Sequence, residues 1–177
     1  MNRRNFLATS LMLTAPLVSG AWYWDKRWKY IAIHHSAGEY GSIPFLRKVH
    51  RQRQSSDPVD AIPYHYVIGN GNGMGMGEIA TGWRQSLDIW GAHVSSRNHD
   101  WNLRGIGICL IGNFENHSVP EQQYAALLSL TKDLMRQYGI SGENVNGHGF
   151  ITGERTKCPG KHFPIERFRK DILTTTA

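Results

Sequence analysis

The residues from Trp28 to Ile33 are largely apolar and run into His34-His35 and then the turn residues Ser36-Ala37-Gly38. That pattern predicts a short strand presenting two histidines at its end. Ser42 can cap a helix through Phe45, Leu46 and Val49 to about Gln54, with Pro44 in the first turn where a missing N–H costs little. Tyr64 to Ile68 has strand composition, and the stretch GNGNGMGMGE after it supplies hairpin turn chemistry. It lacks the Lys-Ser/Thr ending of a phosphate loop, and no helical pattern follows it. Residues 82–104 show no clear period and are rich in Trp, His, Asn and Ser, as expected of a loop lining a polar cleft. The apolar run 105–111 predicts a buried strand. Ser118 and Glu121 then have capping-box spacing, opening a helix whose stripe carries Tyr124, Leu127, Leu128, Thr131, Leu134, Met135 and Tyr138 before Gly139 stops it. A last helix is expected from about Ile165 to Leu173. Strands interleaved with helices, without repeat or linker, predict a single α/β domain: one mixed central sheet flanked by helices.

Composition changes this picture little. A 40% hydrophobic content over 177 residues is enough for one core, and the net charge of +6 comes from dispersed basic residues, with no nucleic-acid motif among them. The start of the chain changes it more. Residues 1–21, MNRRNFLATSLMLTAPLVSGA, have a basic start, an apolar stretch from Phe6 to Val18 and small residues at Ser19 and Ala21. This predicts an export signal, and Arg3-Arg4 before Asn5-Phe6-Leu7 resembles the twin-arginine type. Cleavage after Ala21 would remove two arginines and no acid, lowering the charge to +4. The apolar stretch is short for a membrane span, so the expectation is a periplasmic or otherwise exported monomer comprising residues 22–177, with no stable membrane insertion.

Export makes a disulfide the first reading of two cysteines. The local patterns favour free thiols: Cys109 lies in the apolar strand, whereas Cys158 lies in a polar turn. Cys158 also follows His148 by ten positions, and with His34 or His35 these residues offer the ligand types of a hydrolytic zinc site, three protein ligands and one open position. Each also has an ordinary explanation, and neither CxxC nor HExxH occurs.

The ordered segments IAIHHSAG, PYHYVIGNG, GAHV, RGIGICLIGNF and GHGFITGERTKCPG together resemble the N-acetylmuramoyl-L-alanine amidase family, which includes zinc-dependent wall amidases and the animal peptidoglycan recognition proteins. The resemblance runs from about Ile31 to Gly160. It implies Zn²⁺ held by His34, His148 and Cys158; Tyr64 as the polar helper at the reacting centre; and Thr156, or its neighbour Lys157, as a second helper. It further implies that His93 lines the substrate groove, with Asn113, Trp90 and Trp101 as candidate borders, and that His35 is structural. The implied reaction is hydrolysis of the amide between N-acetylmuramic acid and L-alanine in peptidoglycan or muropeptides. The alternative is a non-catalytic peptidoglycan-binding module on the same fold, although such relatives typically lack the cysteine ligand. Two departures stand out. The spacing of ten between His148 and Cys158 is longer than the eight of many relatives, and Gly149 replaces an arginine often found after the histidine.

Overall fold

The structure, a computed structural model, describes residues 27–56 and 62–174; the expected export signal lies outside the described residues. Five strands form one sheet: β1 (Tyr30–His35), β2 (Tyr66–Ile68), β3 (Ile79–Thr81), β4 (Gly105–Leu110) and β5 (Val145–Gly147), in the order β3-β2-β4-β1-β5. The β1–β4, β1–β5 and β2–β4 pairs are parallel and the β2–β3 hairpin is antiparallel. The helices are α1 (Ile43–Arg53), α2 (Trp83–Ser86), α3 (His99–Arg104), α4 (Glu121–Tyr138) and α5 (Ile165–Leu173). This is the expected α/β single domain with a mixed sheet.

The pleat decides what each face holds. Ile31 and Ile33 of β1 and Ile106, Ile108 and Leu110 of β4 pack with Leu127 and Leu134 of α4 and Phe168 and Ile172 of α5. Each such fully buried side chain contributes about 1.5–3 kcal/mol of transfer free energy. The opposite face carries Val67, Cys109 and Tyr64 with Leu46 of α1, and a smaller cluster of Ala32, Val94 and Ile151. Because successive strand residues alternate, His34 shares the second face with Ala32. His35 turns the other way, where its Nδ1 accepts from the Phe114 backbone N–H at 3.2 Å.

Several local expectations hold. Ser42 caps α1 by accepting from the Phe45 N–H, and Gly139 ends α4 in the left-handed region at φ 66°. Two do not. The capping box before α4 is not formed: Pro120 occupies the cap position, and Glu121 instead pairs with Arg167 of α5 at 2.6 Å. The stretch 82–104 is not simply a loop, since it contains α2, a 3₁₀ turn at Ser96–Asn98 and α3, each too short for a period to be read.

Candidate metal centre

His34 is delivered by β1, beside Cys109 of β4, and is 1% exposed. On the other side of β1, β5 ends at Gly147, and a 3₁₀ turn then begins with His148. Two adjacent parallel strands therefore bring these histidines together, with ring centroids 4.7 Å apart. The chain returns after ten residues with Cys158, whose Sγ lies 3.7 Å from His34 Nδ1 and 3.4 Å from the His35 N–H. One ligand atom from each of His34, His148 and Cys158 falls within 4.8 Å of the others.

These three side chains fit a zinc ion. Zn–N near 2.0–2.1 Å and Zn–S near 2.3 Å in a tetrahedron place nitrogen and sulfur about 3.5 Å apart, close to the 3.7 Å found between His34 and Cys158. The ring nitrogens not used by the site are also engaged. His93 Nε2 faces the Gly105 carbonyl at 3.3 Å, an acceptor only, so this nitrogen carries the proton. His93 Nδ1 then accepts from His34 Nε2–H at 3.2 Å, which leaves the lone pair of His34 Nδ1 directed toward Cys158. His148 Nε2 donates to Glu154 Oε2 at 3.1 Å, again leaving Nδ1.

Burial, reinforced by His93 and the neighbouring histidines, pushes His34 well below its ordinary pKa. Burial lowers His93 to about 3, against the raising pull of the Gly105 carbonyl, and lowers His148 against that of Glu154. The imidazoles are thus kept neutral, the form that ligates metal. Burial raises the Cys158 thiol to about 12, opposed by the His35 N–H. Metal coordination inverts that preference by deprotonating the thiol.

Other residues singled out in the sequence lie at varied distances from this centre. Tyr64 precedes β2 rather than lying in it; its ring centroid is 5.0 Å from that of His34, and its hydroxyl contacts the Cys109 thiol. Thr156 is exposed, and its Oγ1 accepts from the Cys158 N–H at 3.2 Å. Lys157 has a side chain 86% exposed, with Nζ 3.9 Å from Glu115. Thr156, Lys157 and Cys158 line a cavity of about 400 Å³ with Gly149, Phe150 and Glu115.

His93 is buried beside His34. A Cβ built on Gly91 or Gly107 would lie 2.2 or 2.6 Å from its ring, so these two glycines form the slot that holds it. Trp101 stacks on Tyr30 at 4.5 Å and packs on the Val94–Ile151 cluster rather than bordering a groove. Trp90 is exposed but is not among the cavity walls, and Asn113 turns its side chain to the Glu115 N–H. Both cysteines are free, with Cys109 in the core.

Sequence reasoning missed Glu154, together with Ser95 and Asn98 that hold it. The available signal was the longer spacing between His148 and Cys158, because the carboxylate sits in that loop.

Comparison with known proteins gives a consistent picture. The family described as N-acetylmuramoyl-L-alanine amidase matches residues 24–161. Peptidoglycan-recognition protein SC2 of Drosophila simulans is 30% identical over 137 residues, covering 74% of this chain and 67% of that protein. N-acetylmuramoyl-L-alanine amidase AmiD of Escherichia coli is 27% identical over 150 residues, covering 80% of this chain and 52% of AmiD. Among solved structures, N-acetylmuramoyl-L-alanine amidase LysC from Clostridium intestinale aligns with a TM-score of 0.70 at 26% identity, covering 86% of this chain and 89% of that one.

Proposed function

The chain belongs to the N-acetylmuramoyl-L-alanine amidase family, and from that premise we propose that it is a zinc-dependent enzyme hydrolysing the amide between N-acetylmuramic acid and L-alanine in peptidoglycan or muropeptides. The observation that carries this reading is the convergence of His34, His148 and Cys158 beside a cavity that Cys158 helps to line. Three protein donors leave a coordination position for chemistry, whereas a purely structural zinc site is closed by four. Zinc bound there supplies Lewis-acid polarisation of the scissile carbonyl and lowers the pKa of a coordinated water to about 7.

The chain's own residues do the rest. His34 and His148 hold their Nδ1 lone pairs toward the centre through the bonds to His93 and Glu154. Burial keeps the Tyr64 hydroxyl protonated, so it remains a donor for the developing oxyanion. The Thr156 hydroxyl accepts from the Cys158 N–H and retains its own proton to donate to a substrate oxygen. Lys157, at the cavity rim, adds positive charge where the peptide would enter. We assign the protein to the periplasm or cell exterior, acting as a monomer after removal of residues 1–21.

A second reading is a recognition module that binds peptidoglycan without turnover. It is favoured by the similarity to a peptidoglycan-recognition protein. The two readings separate in one experiment: zinc stoichiometry of the purified protein, with mass spectrometry of products from defined muropeptides with and without chelator. Stoichiometric zinc and chelator-sensitive release of the free stem peptide are expected. Tight muropeptide binding without that product would leave the recognition reading.

A further inference from the structure

The loop between His148 and Cys158 carries Glu154, whose side chain is 4% exposed. One carboxylate oxygen, Oε1, accepts from the Ser95 N–H at 3.1 Å, the Ser95 hydroxyl at 2.7 Å and Asn98 Nδ2 at 2.8 Å. The other, Oε2, is left for His148 Nε2. Three donors converge on Oε1, and hydrogen bonds to the charged form of a carboxyl favour it, which leaves Oε2 to accept from His148 Nε2–H. The fold therefore maintains a buried anion directly behind a candidate metal ligand. A buried charge is costly unless an opposite charge compensates it.

We propose that Glu154 is a positioning residue of the metal centre: it fixes His148 in the Nε2–H tautomer, aims Nδ1 at the metal, and supplies the second negative charge that the ligand set lacks. This rests on the reading of His34, His148 and Cys158 as zinc ligands. Two neutral imidazoles and one thiolate leave a divalent cation with one uncompensated charge. The Glu154 carboxylate brings the assembly to neutrality through a charge-assisted hydrogen bond. The corresponding support of His34 ends on a main-chain carbonyl, at Gly105, and carries no charge. The two histidines are thus supported differently, and only His148 depends on a replaceable side chain for charge. The tie to Ser95 and Asn98 also anchors the ligand loop to the segment just before α3.

Glutamine is not a neutral replacement here. Its amide group can face His148, donating to Nε2 and driving the proton to Nδ1, or it can face three donors that have lost their acceptor. Glu154→Ala and Glu154→Gln should therefore both weaken zinc binding by about 10- to 100-fold in chelator competition. Asn98→Ala, which leaves the carboxylate on His148, should cost much less. The readout specific to positioning is the ¹⁵N signature of His148 in the metal-free protein at mildly alkaline pH. It should show the Nε2–H tautomer in the unaltered chain and lose that preference in E154A. An Nδ1–H tautomer in the unaltered chain, or zinc affinity within twofold of wild type in E154A, would overturn the proposal. The ¹⁵N measurement on the unaltered chain decides the tautomer even if a variant fails to fold. Failure of the unaltered protein to bind zinc would instead overturn the metal reading itself.

Discussion

His34 and His148 approach the same point from two kinds of structure. His34 stands in β1, hydrogen-bonded between β4 and β5, with His93 wedged behind it between Gly91 and Gly107. His148 and Cys158 stand at the ends of a mostly irregular loop held by a few side-chain bonds, chiefly those of Glu154 and Thr156. The difference teaches that one metal site can have a stiff wall built into the core and a second wall that is locally tunable. Damage to the first should register as lost folding stability. Damage to the second should register mainly as lost metal.

The largest test removes the ligands. His34→Ala, His148→Ala and Cys158→Ala should each eliminate stoichiometric zinc and bring hydrolysis of purified sacculi below detection. Only His34→Ala should also destabilise the metal-free protein substantially, by about 2–4 kcal/mol, because it opens a cavity in a fully buried layer and orphans His93 Nδ1. Urea unfolding would measure this, and equal metal-free stabilities for H34A and C158A would erase the contrast.

Acid comes next. His65 lies in the core with its pKa driven well below the ordinary value, by burial first and then by His93; burial and then Arg53 bring His50 to about 4. The unfolded chain binds more protons at these sites below about pH 6.5, so stability is full above that pH and falls as the pH drops toward the folded values. Each group contributes a slope of about 1.4 kcal/mol per pH unit in that window. These two groups alone should thus cost the metal-free protein about 3 kcal/mol between pH 6.5 and 5. A flat profile in urea titrations would show that the histidine-lined half is not the acid-sensitive one.

Glycine substitutions sharpen the comparison further. A Cβ at Gly107 would lie 2.6 Å from the His93 ring, so Gly107→Ala should cost about 1–3 kcal/mol of stability by overpacking. A Cβ at Gly149 would lie 2.5 Å from the Thr156 carbonyl oxygen, in the ligand loop. Gly149→Ala should weaken zinc about tenfold while changing global stability by less than about 1 kcal/mol. Calorimetry paired with chelator competition distinguishes the two patterns, and matching patterns would contradict the two-wall view.

The smallest effect lies outside both walls. His117 has its pKa raised by the Ser118 carbonyl and then by Glu39, which it meets at 3.0 Å on the surface. Its contribution is present below about pH 6.5 and is lost as the pH rises through the folded value. For so exposed a pair it should amount to a few tenths of a kcal/mol. Glu39→Gln should remove the Glu39 share of that increment at pH 6 and leave stability at pH 8 unchanged.

What the sequence disclosed follows the same division. The regular elements were legible because their patterns are long: the α4 stripe, the β4 run and the Ser42 cap each declare themselves locally. The candidate ligands were singled out through ordered motifs, not through spacing, since His34 and Cys158 are 124 positions apart and the β1–β5 pairing brings His34 to His148. The motif around His93 does not say which way the ring faces; Gly91 and Gly107 decide that through contacts distant in sequence. The surroundings of Trp101 were hidden for a similar reason, since stacking on Tyr30 depends on α3 lying against β1. Glu154 was invisible because its partners, Ser95 and Asn98, sit in a stretch with no readable period.

The three-residue strand β5 is an outer strand, paired among the described residues only with β1, and His148 follows immediately after it. Under the proposed ligation, a zinc ion joins the end of that outer strand to the end of its inner neighbour. Free zinc at 1,000 times the dissociation constant would then stabilise the folded chain by about 4 kcal/mol. Wherever zinc supply fluctuates, the lifetime of this protein would become a gauge of zinc availability. Scarcity would loosen a sheet edge of the kind that recruits other chains.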